Sequence, residues 1–328
     1  MQKCATTLAL AWLFAAAGSA LAQEWPQKTV RIINPFAAGT STDVVGRVIA
    51  EGLQKRLGKP FIVETRTGAG GMIGTAEIAR ADPDGHTIGV SIPGPLAINV
   101  ALYKKMPYDP FRDLAPITLA VHQPCVLVAS PALRVADVRE LFAEFKKQPG
   151  KYNYALSAVG GTAHLVMAML MARSGTRLEP ILYPGATAAI TAIISGDVHV
   201  GCFPAVNMVG QVKAGKVLGL GVSSAKRIGQ LPEVSTLVEQ GFPGVVGSAW
   251  IGVVAPIKTP KPLLEAISRE VIAALRQPAA IEILSRQVME VVANTPEEFN
   301  AFRRQEIERW KPVIEQYRIS LEAPESKR

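Results

Sequence analysis

Short apolar runs alternate with amphipathic segments along most of the chain. Residues 29–34 (TVRIIN) are apolar and β-branched, which is typical of a strand. From Asp43 onward, Val, Ile and Leu recur every three or four positions until Gly58 and Pro60, as in an amphipathic helix. The same patterns predict strands at 61–64 and 87–91, with a helix at 72–81 between them.

The alternation then repeats in a second part of the chain. Strands are predicted at 125–129, 152–156, 181–183, 198–202 and 217–222, and helices at 137–147, 163–172, 187–194 and 205–213. Such alternation predicts α/β layers around a largely parallel sheet. Two similar halves in succession suggest two lobes, and ligands of such sheets bind at the carboxyl ends of strands and between lobes.

A final section is mostly helical. It begins with residues 250–255 (WIGVVA), and helices are predicted at 260–275, 278–285 and 296–317. Thr295 and Glu298 form a capping box, with Pro296 at the first helical position. We interpret the apolar stripe that begins at Phe299 as packing onto a domain and not as a partner surface. If the helical end packs back on the first lobe, that lobe is discontinuous in sequence.

Composition indicates a folded protein of one or two domains. The 328 residues are 48% hydrophobic and 19% charged, which excludes a disordered chain. The formal net charge of +8 is spread along the sequence without any block of five or six basic residues. Nucleic-acid binding therefore has little support.

The first 22 residues predict a secretory signal peptide. Lys3 precedes a small-apolar stretch at 5–17, and Ala20-Leu21-Ala22 is an A-x-A cleavage signal. The apolar stretch is too short to anchor the chain in a membrane. In an oxidising compartment Cys125 and Cys202 are free to form one disulfide, but sequence does not give the distance between them.

Two loops have the composition of an anion site. Residues 37–43 and 157–164 each place small and hydroxyl residues between a strand and a helix start. Unpaired N–H groups at the positive end of a helix dipole bind carboxylate or phosphate without a cationic side chain. The alternative is ordinary capping, with Ser41 or Thr42 capping one helix and Thr162 the other.

Signals for a cofactor, a metal or catalysis are weak. The glycines of GAGGMIG at 68–74 resemble a dinucleotide fingerprint, but the third glycine stands at 74 where the motif requires 73. The chain contains no H-E-x-x-H or G-x-S-x-G motif and no Cys/His cluster. His164 is the histidine expected to face a ligand, although a polar residue capping the turn is the alternative. A dispersed hydrolase triad that includes Ser157 and His164 also stays open.

A series of short motifs carries a resemblance over nearly the whole mature chain. They are WP at 25–26, PFAAG at 35–39 with TD at 42–43, GAGG at 68–71, PYDP at 107–110, DLAPI at 113–117, YPG at 183–185 and LP at 231–232. In this order they resemble the Bug proteins, the periplasmic solute-binding receptors of tripartite tricarboxylate transporters.

The resemblance implies a two-lobed, Venus-flytrap periplasmic binding protein fold of the α/β class. Lobe 1 would comprise residues 23–122 plus 248–328, and lobe 2 residues 123–247. It also implies a non-enzymatic, monomeric receptor without cofactor or metal, which passes a small carboxylate solute to membrane permease subunits. The implied ligand-binding residues are Phe36, Gly39, Thr40, Ser41, Thr42, Asp43, Ser91, Ser157, Gly160, Gly161, Thr162, His164 and Phe203.

Departures from the family pattern leave the solute open. Thr40 replaces a second glycine and either adds a hydroxyl donor or narrows the loop, while Thr65 replaces a common Asn and Pro184 a common Lys. Residues 199–203 (HVGCF) replace a segment that usually begins with Asp and ends in a pocket-facing Phe or Asp. An exported hydrolase, or a sensor that presents solute to a signalling partner, remains an alternative function.

Overall fold

A computed structural model describes residues 25–157, 161–183, 185–317 and 319. The predicted signal peptide, Gly160 and Pro184 lie outside these residues. The strands are β1 (Val30–Asn34), β2 (Phe61–Thr65), β3 (Thr87–Ser91), β4 (Leu114–Ala129), β5 (Asn153–Leu156), β6 (Glu179–Leu182), β7 (Val200–Pro204), β8 (Leu218–Val222), β9 (Ser248–Pro256) and β10 (Glu290–Val291).

The helices cover the faces of the sheets. They are α1 (Ser41–Leu57), α2 (Met72–Arg80), α3 (Asn99–Leu102), α4 (Val138–Lys147), α5 (Thr162–Ser174), α6 (Ala186–Ser195), α7 (Ala205–Lys213), α8 (Lys261–Leu275), α9 (Pro278–Arg286) and α10 (Pro296–Tyr317). A π turn at Gly94–Ile98 precedes α3. None of the helices in the described ranges combines the length and the hydropathy that a bilayer crossing requires.

Two sheets share the long strand β4. The first has the order β2-β1-β3-β9-β4 with β10 also paired to β4, and the second has the order β4-β7-β5-β6 with β8 also paired to β4. The prediction of a largely parallel sheet is wrong. Among the strands named above, the pairs of β1 with β2 and β3, and of β5 with β6 and β7, are parallel, whereas β4 and β9 run antiparallel to all the strands with which they pair.

Strand directions determine which edges of the two sheets meet. In the first sheet β3 and β4 are both antiparallel to β9, so β1, β2 and β3 run the same way as β4. In the second sheet Pro204, at the end of β7, pairs with Cys125, whereas Val200 at its start pairs with Ala129. The carboxyl ends of the parallel strands in both sheets therefore point towards the part of β4 that passes between the sheets.

Apolar layers lie on both faces of the first sheet. On one face Ile49 and Leu53 of α1 pack with Ile267 and Val271 of α8 and with the sheet. The other face is covered by α2 and α10, where Trp310 is fully buried. Burial of this apolar surface is the main stabilising contribution to the fold. It also holds the starts of α1 and α2 firmly at the carboxyl edge.

The predicted capping box at the start of α10 is confirmed. Thr295 N donates to Glu298 Oε2 at 2.9 Å, and Glu298 N donates to Thr295 Oγ1 at 3.2 Å. The predicted packing of the helix onto the domain is confirmed as well, since Phe299 and Trp310 have no exposed surface. The indole nitrogens of Trp250 and Trp310 both donate to Glu306 Oε2, which connects α10 to β9.

A serine joins the two segments that connect the sheets. Ser223 Oγ accepts from Cys125 N at 2.9 Å and donates to Gly247 O at 2.6 Å. Cys125 and Cys202 are both buried free thiols. Cys202 pairs with Leu127, so the two cysteines are diagonal neighbours on β4 and β7, and the disulfide considered from the sequence is not formed.

Candidate functional site

The loop between β1 and α1 is held by side chains at both of its ends. Asn34 Oδ1 accepts from Phe36 N at 3.2 Å, and Asn34 Nδ2 donates to Phe36 O at 2.9 Å. Asp43 Oδ2 accepts from Gly39 N and from Arg47 Nε, each at 2.9 Å. The hydrogen bond from Arg47 lowers the pKa of the nearly buried Asp43, which therefore stays ionised.

Helix α1 starts without a side-chain cap. Thr40 occupies the N-cap position with φ −75° and ψ 166°, but its side chain accepts no hydrogen bond from the first turn. The N–H groups of Ser41, Thr42 and Asp43 have no acceptor in the part of the chain that the structure describes. The capping alternative is therefore wrong for α1, and three N–H donors stay open at the positive end of its dipole.

The hydroxyl of Thr40 is directed into the loop. Thr40 Oγ1 donates to Ala37 O at 2.6 Å and lies 3.1 Å from Thr42 Oγ1. The Thr40 hydroxyl therefore does not donate a hydrogen bond to a solute in this conformation, which was one of the two effects considered for a threonine at this position.

A neighbouring residue that sequence reasoning missed is Gln123 of β4, whose Nε2 donates to Ser41 Oγ at 3.1 Å. Nothing in the local sequence around Gln123 indicated this contact, because 82 positions separate the two residues.

The second loop has the same open helix start. Ser157, partly exposed, follows β5, and Gly161 is the N-cap of α5 with φ −71° and ψ 161°. Gly161 supplies no side chain, and the N–H groups of Thr162 and Ala163 have no acceptor among the residues described. Thr162 is the first helical residue and not the cap, so the capping alternative is wrong here too.

The imidazole of His164 lies in a groove along α5. This groove of about 910 Å³ is also lined by Ala168 and Met171 of α5 and by Ile319. Burial lowers the pKa of His164 to about 4, so the ring is neutral at neutral pH. The expectation that His164 faces a ligand therefore stays a prediction, and the space next to this residue is the groove along α5.

Two predicted site residues have buried side chains. Ser91, at the end of β3, has no exposed surface, and its Oγ lies 3.1 Å from Thr75 Oγ1. Phe203 of β7 is equally buried, with its ring against the backbone of Gly201 in the core of the second sheet. In this conformation the structure differs from the prediction, because neither side chain has surface with which to contact a solute.

The ring of Phe36 explains why a glycine is needed at position 71, in the glycine-rich segment that follows β2. A Cβ on Gly71 would lie 2.5 Å from Cζ of Phe36, so the ring occupies the space that a side chain at 71 would need. Gly71 also has a φ of +91°, which favours glycine. The glycine-rich segment thus makes room for an aromatic ring that is itself partly exposed at the carboxyl edge.

The two open helix starts lie on the two edges that face each other. α1 follows the carboxyl end of β1, and α5 follows the carboxyl end of β5. The nearest cation on α1, Arg47, is paired with Asp43. Within the described ranges no three His, Cys, Asp or Glu side chains come together as a metal site. The arrangement is therefore suited to hold an anion through backbone N–H groups and hydroxyls.

A curated relative matches most of the chain. Protein BugT of Bordetella pertussis is 34% identical over 294 residues, which cover 89% of this chain and 90% of BugT.

Solved structures match over a similar extent. The periplasmic binding protein BugD is 32% identical with a TM-score of 0.75, covering 90% of this chain and 99% of BugD. A protein from R. palustris solved with adipate is 28% identical with a TM-score of 0.79, covering 90% and 99% of the two chains. MatC from Rhodopseudomonas palustris, with bound malate, is 30% identical with a TM-score of 0.75, covering 88% and 100%.

The fold and the family agree. These neighbours establish the two-lobed periplasmic binding protein fold for this chain. A family model described as the tripartite tricarboxylate transporter family receptor matches residues 45–319. Together with the identity to BugT, this match shows that the chain belongs to the tripartite tricarboxylate transporter receptor family and to its Bug proteins.

Proposed function

We propose that this protein is a periplasmic receptor that captures a small carboxylate-bearing solute between its lobes. It delivers the solute to the membrane permease subunits of a tripartite tricarboxylate-type transporter and carries out no reaction on it. The main support for this proposal is that α1 and α5 both start without a side-chain cap, on the carboxyl edges of the two sheets that face each other. A carboxylate oxygen is the acceptor that such N–H groups lack.

Relatives support the solute class. Adipate and malate, found with two of the solved relatives, are both small dicarboxylates. A dicarboxylate has one anionic group for each helix start, so both dipoles are used without any cationic side chain. Closure of the lobes then brings the second helix start onto a solute that the first already holds. Differential affinity for the closed state drives that closure.

The proposed cellular location is the periplasm. The signal peptide at residues 1–22 would export the chain, and the related BugD is a periplasmic binding protein. The proposed lobes are residues 23–122 plus 248–328 and residues 123–247. They are consistent with the change of sheet along β4, since its partners are β9 and β10 up to Pro124 and β7 and β8 from Cys125.

The proposed binding residues divide into two groups. Those with open backbone N–H groups or partly exposed side chains at the two edges are Phe36, Thr40, Ser41, Thr42, Asp43, Ser157, Gly161 and Thr162. Gly39, whose N–H is bonded to Asp43, is proposed with them, as are Gly160 and His164 of the second loop. Ser91 and Phe203 act behind this layer, as packing that supports the edge.

Thermal unfolding of the purified mature chain in the presence of candidate solutes tests the proposal. The panel comprises malate, adipate, citrate, glutamate, benzoate and the diamide of adipic acid, with calorimetry on any solute that responds. A binding carboxylate at a hundredfold excess over its Kd should stabilise the protein by about 2.7 kcal/mol. A panel of acids, amino acids and amides without any stabilising member would refute the proposal.

A further inference from the structure

The hydroxyl groups of Thr40 and Thr42 both donate hydrogen bonds to other groups of the protein. Thr40 Oγ1 has a carbonyl partner, Ala37 O at 2.6 Å, so Thr40 must be the donor. Thr42 Oγ1 lies 3.1 Å from Thr40 Oγ1, whose only proton points to Ala37. Thr42 is therefore the donor of that second bond, and neither threonine offers a proton to a solute.

Ser41 differs from both threonines. Its Oγ accepts a hydrogen bond from Nε2 of Gln123 at 3.1 Å. A hydroxyl that accepts in this way keeps its own proton for another acceptor. No acceptor for the Ser41 proton is found among the described residues, and the side chain is partly exposed.

Gln123 is held where it can impose this direction. Gln123 is 5% exposed, and its backbone pairs with that of Ala249 in β9, at the point where β4 leaves the first sheet. The side chain thus reaches Ser41 from a firmly paired strand, and not from a mobile loop.

We propose that Gln123 is a positioning residue that makes Ser41 a hydrogen-bond donor to the solute, and so selects a carboxylate over its amide at this position. The inference rests on the function proposed above. The amide nitrogen of Gln123 occupies one lone pair of Ser41 Oγ and turns the hydroxyl proton outward. A carboxylate accepts that proton at either of its two charged oxygens, whereas an amide accepts it only at its neutral carbonyl oxygen, in a weaker hydrogen bond.

The first measurement compares Gln123→Met with wild type. Calorimetry uses the tightest-binding acid of the panel, and Gln54→Met, on the exposed part of α1, is the matched control. Gln123→Met leaves the hydroxyl free to rotate among its staggered positions, so we expect a loss of affinity of about threefold, because binding must then select one orientation out of three. Ser41→Ala removes a hydrogen bond to a charged group and should lose at least about tenfold, and the double variant should be no weaker than Ser41→Ala alone.

The second measurement reverses the direction of the hydroxyl. In Gln123→Glu the new carboxylate accepts the Ser41 proton, so the oxygen lone pair faces the solute. The preference for the acid over its monoamide should fall more than tenfold. The same substitution in a Ser41→Ala background reports the effect of the added charge alone, and there we expect a clearly smaller change in preference.

The outcomes separate this inference from the proposed function. If wild type binds no panel solute, both fail. If wild type binds but Gln123→Met binds equally well, or the effects of Ser41→Ala and Gln123→Met simply add, only the role of Gln123 is refuted. Unfolding without solute verifies that each variant is folded. If the methionine variant is not, Gln123→Asn, whose shorter amide cannot reach Ser41, gives the same comparison.

Discussion

At the scale of single residues, contacts between distant positions decide what the glycines and hydroxyls do. The sequence showed that the glycines at 68–74 are out of register for a dinucleotide site, but not what they serve. Their purpose depends on Phe36, which comes from the previous strand–helix connection and packs against Gly71. The same holds for Ser41, whose partner Gln123 is 82 positions away. Local patterns carry no signal for such pairs.

The packing of Phe36 predicts a defect in Gly71→Ala. The new Cβ would lie 2.5 Å from Cζ of Phe36 at a φ of +91°, so the ring must move and the backbone is strained. Urea unfolding should show a loss of about 1–3 kcal/mol, and solute affinity should fall because Phe36 is displaced. Gly70→Ala is the control, since φ is +63° there but nothing lies within 4 Å. Equal behaviour of the two variants would show that the ring is not confined.

At the scale of elements, the sequence patterns predicted the bounds of several helices correctly but missed most of one long strand, β4. The helices at 205–213 and 296–317 have the predicted bounds, and a capping box marked the start of the second one. By contrast, only residues 125–129 of β4 were predicted, although the strand begins at Leu114. Pro116 and Pro124 and two register shifts interrupt its apolar pattern, and pairing with β9 maintains the strand there. Tertiary pairing overrides local propensity in such a segment.

The open start of α5 predicts that a new cap competes with the solute. Gly161 has φ −71° and ψ 161°, which an aspartate N-cap adopts without strain. In Gly161→Asp the carboxylate accepts from the first-turn N–H groups, so stability should change by less than about 0.5 kcal/mol or rise slightly. Solute affinity should fall at least about tenfold, because the donors are occupied by a like charge.

A matched variant separates this competition from capping itself. Gln277→Asp places the same cap on α9, whose start likewise lacks a side-chain cap. It should leave solute affinity, measured by calorimetry, unchanged. If Gly161→Asp binds solute as tightly as Gln277→Asp does, the N–H groups of α5 take no part in binding.

At the scale of the whole molecule, the site depends on how the two sheets are joined. Composition and alternation predicted two α/β halves, and the family motifs predicted where they divide. Neither could give the directions of β4 and β9, which run antiparallel to their neighbours and turn the two carboxyl edges towards each other. Strand direction is set by pairing over long sequence distances, so it follows from the assembled fold and not from local propensity.

The position of Ser223 at the connection between the sheets predicts that removing its hydroxyl lowers the free energy of unfolding by an unusually large amount. Ser223 has no exposed surface, accepts from Cys125 N at 2.9 Å and donates to Gly247 O at 2.6 Å. Ser223→Ala leaves a buried N–H and a buried carbonyl without this partner, so unfolding should require about 2–4 kcal/mol less. Hydrogen exchange at the Cys125 amide should also become faster, because that N–H loses its acceptor.

Ser268→Ala is the control that shows whether the effect of Ser223→Ala depends on its position between the sheets. Ser268 is also buried, but its Oγ makes a single hydrogen bond, to Ile117 O at 3.1 Å, within the layers of the first sheet. Its removal should therefore cost only about 1 kcal/mol and leave exchange at Cys125 unchanged. Similar losses in both variants, with unaltered exchange at Cys125, would mean that Ser223 is an ordinary buried serine. A larger loss in Ser223→Ala means instead that this hydroxyl holds together the two segments that connect the sheets.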